Sequence, residues 1–361
     1  MNLFLLLILL LFLYLLIAEI YPLRRFKAKR ISIMPSKMPN LYLYSFQVHL
    51  HSQFSYDSLG KPGDILESAK EEGIDYVMTT DHNNDHIRLF ADKRLIAGME
   101  KKVNNEKGQI LGDLLIFDDL RIIAHPFKEK YRWKPPISKD YLLEIVDLKD
   151  ALFERKLLLF FFAPYIIFKA LFSMRSALEI IKKLINIEKC ALLYMDMGID
   201  NPIVGGLDHH VKLYIREVGV RFIFPHYRHS FGLMRNFLLS EEKVEEKESF
   251  LKNLKKGKVV VSFSEKPLLY WKEESLKVSP PRKCLLVELS KEGKEVFYGS
   301  YFEVRPKPGI NLYLGYTYKL SLGSLYFGLK PLFIFLWKEV EDGRTAPAGG
   351  HKGEDPSEGL Q

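Results

Sequence analysis

Five short apolar runs in this chain close on histidine or acidic residues, and no other feature restricts the fold as strongly. Residues 46–58 read FQVHLHSQFSYDS, with His49 and His51 one residue apart and Asp57 in the turn behind them. YVMTT runs into Asp81 and His82, RLIAGME closes on Glu100, RIIAHP carries His125, and PIVGGLDHH ends in Asp208, His209 and His210. Alternate side chains of a strand share a face, so His49 and His51 are expected to face one cavity, and Asp208 and His210 likewise. A parallel barrel gathers the C-terminal ends of its strands on one rim, where active sites are built. One buried histidine is ordinarily a hydrogen-bonded core residue. Imidazole and carboxylate delivered from five strand ends form a donor set for zinc, manganese or iron.

The coarse pattern is α/β. LYLYSFQVHLH reads as a strand, KPGDILESAKEEGI as a helix with Asp64 as its N-cap and Gly73 as its stop, and IDYVMTT as the next strand. Strand, helix and strand at this spacing predict a right-handed parallel unit. Further strands are expected at KRLIAGME, GQILGDLLIF, LRIIAHP, NPIVGGLD and VRFIF, with helices over 174–198 and in SEEKVEEKESFLKNLKKG. Beyond about residue 265, apolar and polar residues alternate around Gly and Pro turns, which predicts a small antiparallel β module over 266–340. Residues 341–361 lack apolar content and are expected to be disordered.

Residues 2–18, NLFLLLILLLFLYLLIA, carry no charge, and with Glu19 to Tyr21 approach the ~20 residues that cross a bilayer. No Lys or Arg precedes this run. Arg24, Arg25, Lys27, Lys29, Arg30 and Lys37 follow it, unlike a cleaved signal peptide with its basic leading segment. The expectation is a single-pass anchor over 1–21, a basic juxtamembrane linker over 22–40 able to lie on anionic lipid, and a main domain on the cytoplasmic side. The net charge of +8 suits anionic partners without choosing among them. With two cysteines, Cys190 and Cys284, the chain is neither a disulfide scaffold nor a cysteine-rich zinc finger. A second apolar run, LLLFFFAPYIIF at 157–168, is too short to span. It reads either as a buried core element or as a segment in the membrane interface.

VHLHSQFSYDS, TTDHNN, AGME, IAHP and GLDHH, in that order, resemble the successive motifs of the PHP superfamily, the polymerase and histidinol phosphatase domain. The resemblance covers about 41–265. It implies a distorted (β/α)7 barrel holding two or three divalent ions (Mn, Zn or Fe), which hydrolyses a phosphate ester with metal-activated hydroxide. Carried over by position, His49, His51, Glu100 and Asp208 would bind one metal. Glu100 would bridge to a second held by His125, and Asp57, His82 and His210 would hold the third. Asp81, His82 and His210 are the expected proton relays. Lys128, Lys130 and Arg132 after His125, and His226, Arg228 and His229 in FPHYRHSF, are the expected phosphate contacts. One departure stands out: the family commonly has a histidine where GQILG places Gln109, and amide oxygen is the poorer ligand. The leading expectation is therefore a phosphoesterase at a membrane surface. A nuclease acting on nucleic acid is the second, although no basic stretch interleaved with aromatics marks a single-strand track. A metal-binding scaffold with a weakened site is the third.

Overall fold

The computed structural model describes residues 3–340 apart from 32, 34–36, 91 and 218–219, so the tail expected over 341–361 lies outside the described residues. The chain opens with α1 (Leu3–Ile20), then two short strands, β1 (Leu23–Arg25) and β2 (Lys29–Arg30). The first parallel unit follows: β3 (Tyr42–Leu50), α2 (Pro62–Glu71) and β4 (Tyr76–His82). In α2 the fixed φ of Pro62 suits the first turn. Asp64 sits in the third helical position rather than at the cap, where its Oδ2 accepts the Lys61 N–H at 2.9 Å. Gly73, at φ +64°, ends the segment in the left-handed conformation that glycine tolerates best.

β5 (Leu95–Asn104) lies parallel to β4. β6 (Ile110–Phe117) and β7 (Leu120–Ala124) then join it as antiparallel hairpins, which replace the helical crossovers a strict βα repeat would have. β8 (Leu142–Asp147) returns parallel to β7. Four helices follow it: α3 (Leu148–Phe153), α4 (Lys156–Phe172), α5 (Met174–Lys182) and α6 (Ile187–Asp196). The helical region expected over 174–198 is made of two helices, broken before Asn186, whose side chain caps α6 by accepting the Lys189 N–H. β9 (Ile203–Gly206) is parallel to β8. The chain leaving β9 lies beside β3: Leu207 and His209 donate their N–H groups to the carbonyls of Val48 and His49. A hairpin, β10 (Leu213–Glu217) and β11 (Val220–Phe224), leads to α7 (Tyr227–Leu233), β12 (Arg235–Ser240), α8 (Lys247–Lys255) and β13 (Val259–Ser262). Phe46, Met78, Ile96, Leu115, Ile122, Leu142, Val204, Leu238 and Val259 from nine strands meet in one cluster with Phe250, Leu251 and Leu254 of α8. This inner core fixes the strands whose ends carry the polar groups.

The C-terminal strands are β14 (Leu269–Lys272), β15 (Leu276–Ser279), β16 (Cys284–Ser290), β17 (Gly293–Gly299), β18 (Phe302–Val304), β19 (Gly309–Thr317), β20 (Leu320–Leu322), β21 (Leu325–Phe327) and β22 (Lys330–Glu339). They do not stand apart. β22 pairs with β13, so β17, β16, β19 and β22 continue the sheet that runs on through β13, β12 and β3 to β9. Within the stretch expected as a basic juxtamembrane linker, β1 pairs with β21 and β2 with β17, while Arg24 bonds Glu188 and Lys29 bonds Glu295.

α1 is long and apolar enough to cross a membrane, and almost all of its side chains face outward. α4 contains the second apolar run and is not a core element: Leu157, Phe160 and Phe172 are 80, 83 and 77% exposed. Only Phe162 and Tyr165 of α4 are buried, against Ala18 of α1 and Leu184.

Candidate metal centre

The polar strand ends converge, but not by strand alternation. His49 has φ +66°, is the extra residue of a bulge in the β3–β4 pairing, and turns the strand over. Phe46 and Val48 pack into the inner core, whereas Leu50 packs outside it. His125 at φ +29° and Asp208 at φ +43° are also left-handed. Non-glycine residues there cost on the order of 1 kcal/mol or more each, and such strain collects at functional sites. These backbone kinks aim the side chains inward, His49 from within β3 and His125 and Asp208 from just beyond β7 and β9.

Glu100 is the hub. Its Oε2 lies 3.4 Å from His49 Nε2, 3.3 Å from His51 Nε2 and 3.2 Å from His82 Nδ1, and its Oε1 lies 3.2 Å from His125 Nε2. Asp208 Oδ1 lies 3.7 Å from His49 Nε2 and 3.6 Å from His51 Nε2. Asp57 Oδ2 lies 2.9 Å from His210 Nε2, and its Oδ1 3.7 Å from His82 Nε2. All eight expected ligand residues therefore meet in one site.

Sequence reasoning missed three carboxylates here. Asp113 Oδ2, from β6, lies 3.6 Å from His125 Nε2. Gln109, the position where a ligand was expected, is exposed in the β5–β6 turn and bonded to Asn105. The carboxylate of Asp113, four residues on, stands in the cluster instead. Glu144 and Asp147 come from β8, a strand the sequence reading did not place. Glu144 Oε1 accepts from His49 Nδ1 at 2.9 Å and Oε2 accepts the His125 N–H at 2.8 Å. A carboxylate on Nδ1 directs Nε2 to the cavity, the usual way a ligating imidazole is oriented. The signal was present in LLEIVD, another apolar run closing on an acid. Lys149, just beyond it, places Nζ 2.7 Å from Asp208 Oδ2 and 3.4 Å from His210 Nδ1.

Two groups of expected site residues fall elsewhere. Both carboxylate oxygens of Asp81 are taken by Ser52, from its N–H at 2.6 Å and its hydroxyl at 2.7 Å. Asp81 thus fixes the turn after His51 and does not face the cluster as a proton relay. Arg228 is held by Glu71 and Glu72 at the end of α2, and His226 and His229 lie ring against ring. Of the rim cations, Lys128 pairs with Asp150 at 2.7 Å, Lys130 lies over the Tyr131 ring, and Arg132 is exposed.

Burial and charge crowding set the titration of these groups. Burial pushes the Glu100 carboxyl up, but His49, His125 and His51 outweigh it and hold it well below the usual range. Burial pulls His49 down, but Glu144 and Glu100 reverse this and raise it well above the usual imidazole value. Burial and the neighbouring His210 push His51 well below it. Among the described residues, His49 Nε2, His51 Nε2, Glu100 Oε2 and Asp113 Oδ1 are buried without a hydrogen-bond partner. Buried polar atoms are nearly always paired. Four such atoms on imidazole and carboxylate, within groupings whose ligand atoms all lie within 4.8 Å of one another, fit divalent cations.

A mixed α/β fold with buried imidazoles and carboxylates gathered at its strand ends defines the class. Residues 47–142 match the family model of the PHP domain. A solved structure, a two-domain protein containing predicted PHP-like metal-dependent phosphoesterase from Bacteroides vulgatus ATCC 8482, is 12% identical, with 88% of this chain and 93% of that chain covered and a TM-score of 0.39. No curated protein matches.

Proposed function

We propose that this protein is a metal-dependent phosphoesterase working at a membrane surface, with β3 to β9 as a distorted (β/α)7 barrel around two or three divalent ions. The convergence of unpaired, buried imidazole nitrogens and carboxylate oxygens on Glu100 carries this reading. His49, His51, Glu100 and Asp208 would hold one ion, with Glu100 shared toward a second held by His125 and Asp113. Asp57, His82 and His210 would hold a third. Bound metals would activate water for in-line attack and neutralise charge building on the phosphoryl oxygens.

The chain's own groups do the rest. Glu144 orients His49 through Nδ1 and ties the His125 backbone to the same carboxylate. Lys149, with its side chain 34% exposed beside Asp208, is placed to donate to a phosphate entering from solvent. Lys128 stands near it on Asp150, among the more distant candidates. Asp81 keeps the 52–58 turn in place, and Asp57 with it. The outward apolar surface of α1 supports a membrane anchor. The test is hydrolysis by the full chain in neutral detergent, stripped of metal and resupplied with Mn²⁺, Zn²⁺ or Fe²⁺, on a phosphomonoester and a phosphodiester side by side. Metal-dependent cleavage of the monoester supports a phosphatase, and cleavage of the diester a phosphodiesterase or nuclease. Stoichiometric metal without cleavage of either sinks the hydrolase reading.

A further inference from the structure

Where α1 meets the rest of the protein, a second site stands apart from the Glu100 cluster. α1 packs along α4: Tyr14 donates its hydroxyl to the Phe161 carbonyl, and Tyr21, just past α1, meets Phe162 ring to ring. At the C-terminal end of α1, the buried Lys183 ammonium donates to the carbonyls of Ala18 and Glu19, each at 3.0 Å. Beside this junction is a cavity of about 520 Å³. Six cations line it (Lys169, Lys183, Arg282, Lys283, Lys319 and Lys330) against two carboxylates, Glu19 and Glu179, a surplus of four positive charges.

The carboxylates are already engaged, Glu19 by Lys319 and Glu179 by Lys330 and Lys182. Arg282 has no carboxylate partner among the described residues, and Lys283 rests over the Tyr298 ring. Lys183 is pulled down to about 8, chiefly by burial. Glu19 opposes this, while Lys330, Lys319 and Lys169 add to it. The cavity is thus short of negative charge. Its lining includes Glu19, in the last turn of a helix with an outward apolar surface, and Lys169 of α4, whose Leu157, Phe160, Phe168 and Phe172 are exposed. Guanidinium and ammonium donors match phosphate oxygens, and basic pockets beside membrane helices take anionic headgroups.

We infer that this cavity binds the phosphate headgroup of an anionic lipid whose chains lie along α1 and α4. The inference rests on α1 being a membrane anchor, and it is independent of the chemistry at Glu100. The full chain, in neutral detergent, is titrated with dioctanoyl phosphatidic acid, dioctanoyl phosphatidylcholine and inorganic phosphate, with bound ligand counted by native mass spectrometry. Phosphatidic acid should saturate at one per chain. The double variant Arg282→Gln/Lys283→Gln should weaken it about thirtyfold, as loss of two interfacial cations implies, and Arg282→Lys/Lys283→Arg should restore it. Lys283→Gln alone is the fallback if the double variant melts early, with an expected loss of about fivefold. Flotation with phosphatidylcholine vesicles tests the anchor separately. Binding that never saturates, or that ignores these variants in a floating protein, overturns the headgroup site. Inorganic phosphate binding as tightly as phosphatidic acid overturns the lipid and assigns a soluble anion.

Discussion

Glu144 offers the sharpest test of how the centre is held, because one carboxylate serves two of its arms. It accepts from His49 Nδ1 at 2.9 Å and from the His125 N–H at 2.8 Å, fully buried. Glu144→Ala leaves both donors buried without acceptors. Each such donor costs about 1–3 kcal/mol, so the metal-free protein should lose roughly 2–6 kcal/mol, less whatever is regained by no longer burying a carboxylate. Loss of a carboxylate that orients a ligating histidine lowers metal affinity about 10–100-fold, or about 1.4–2.8 kcal/mol. Gly206→Ala reaches the same group without altering it, since a Cβ there would overlap Glu144 Oε1 and drive the carboxylate off His49. The assay is Mn²⁺ titration of the stripped full chain, with bound metal counted by mass spectrometry and melting followed by circular dichroism. Both variants should bind metal more weakly and melt earlier. Wild-type affinity and melting in both would refute the claim that Glu144 orients the site.

Other outcomes follow from the same geometry. Asp113→Ala should lower metal stoichiometry or affinity by about tenfold or more, whereas Gln109→His should change neither, because Gln109 lies exposed in a turn; metal counting on the two proteins decides. Lys149→Met, assayed at saturating Mn²⁺, should raise KM for a phosphate ester about tenfold by removing a charged donor. Glu288 is buried and accepts the Tyr313 hydroxyl at 2.8 Å. Burial lifts its carboxyl above the usual range despite that bond. The folded state therefore holds its proton more tightly than the unfolded state. The associated stability is present below the ordinary carboxyl value, about 4.3, and is lost as pH rises through the folded value. Glu288→Gln should then melt higher than wild type at pH 7.5 and show little difference at pH 4. An equal gap at both pH values would refute this.

Much of the site was legible because strand, turn and polar terminus recur in one register along the chain. His49, His51, Glu100, His125 and Asp208 each close an apolar run, and such runs can be read from composition alone. What hid β8 is Glu144 itself: a glutamate in the middle of LLEIVD lowers strand propensity, and its burial is justified only by His49 and the His125 backbone, distant in sequence. Asp113 was hidden by the bent register of β5 and β6, where a shift follows Val103 and φ at Gly112 is +145°. His49 does face the cavity expected from strand alternation, but a left-handed bulge rather than the strand period turns its ring inward. The run in α4 illustrates a different limit: apolar composition measures the wish to leave water, and whether protein or lipid receives it depends on the fold around it.

The central claim is that the groups around Glu100 hold metals that hydrolyse a phosphate ester. The most direct measurement pairs bound-metal stoichiometry with phosphomonoester and phosphodiester turnover in wild type and Asp208→Asn, each stripped and resupplied with Mn²⁺. Wild type should take up two or more ions and recover activity in step with them. Asp208→Asn should keep its circular dichroism spectrum, lose at least one ion and show no metal-dependent turnover. Full turnover in Asp208→Asn, or turnover in wild type that survives stripping, would contradict the account.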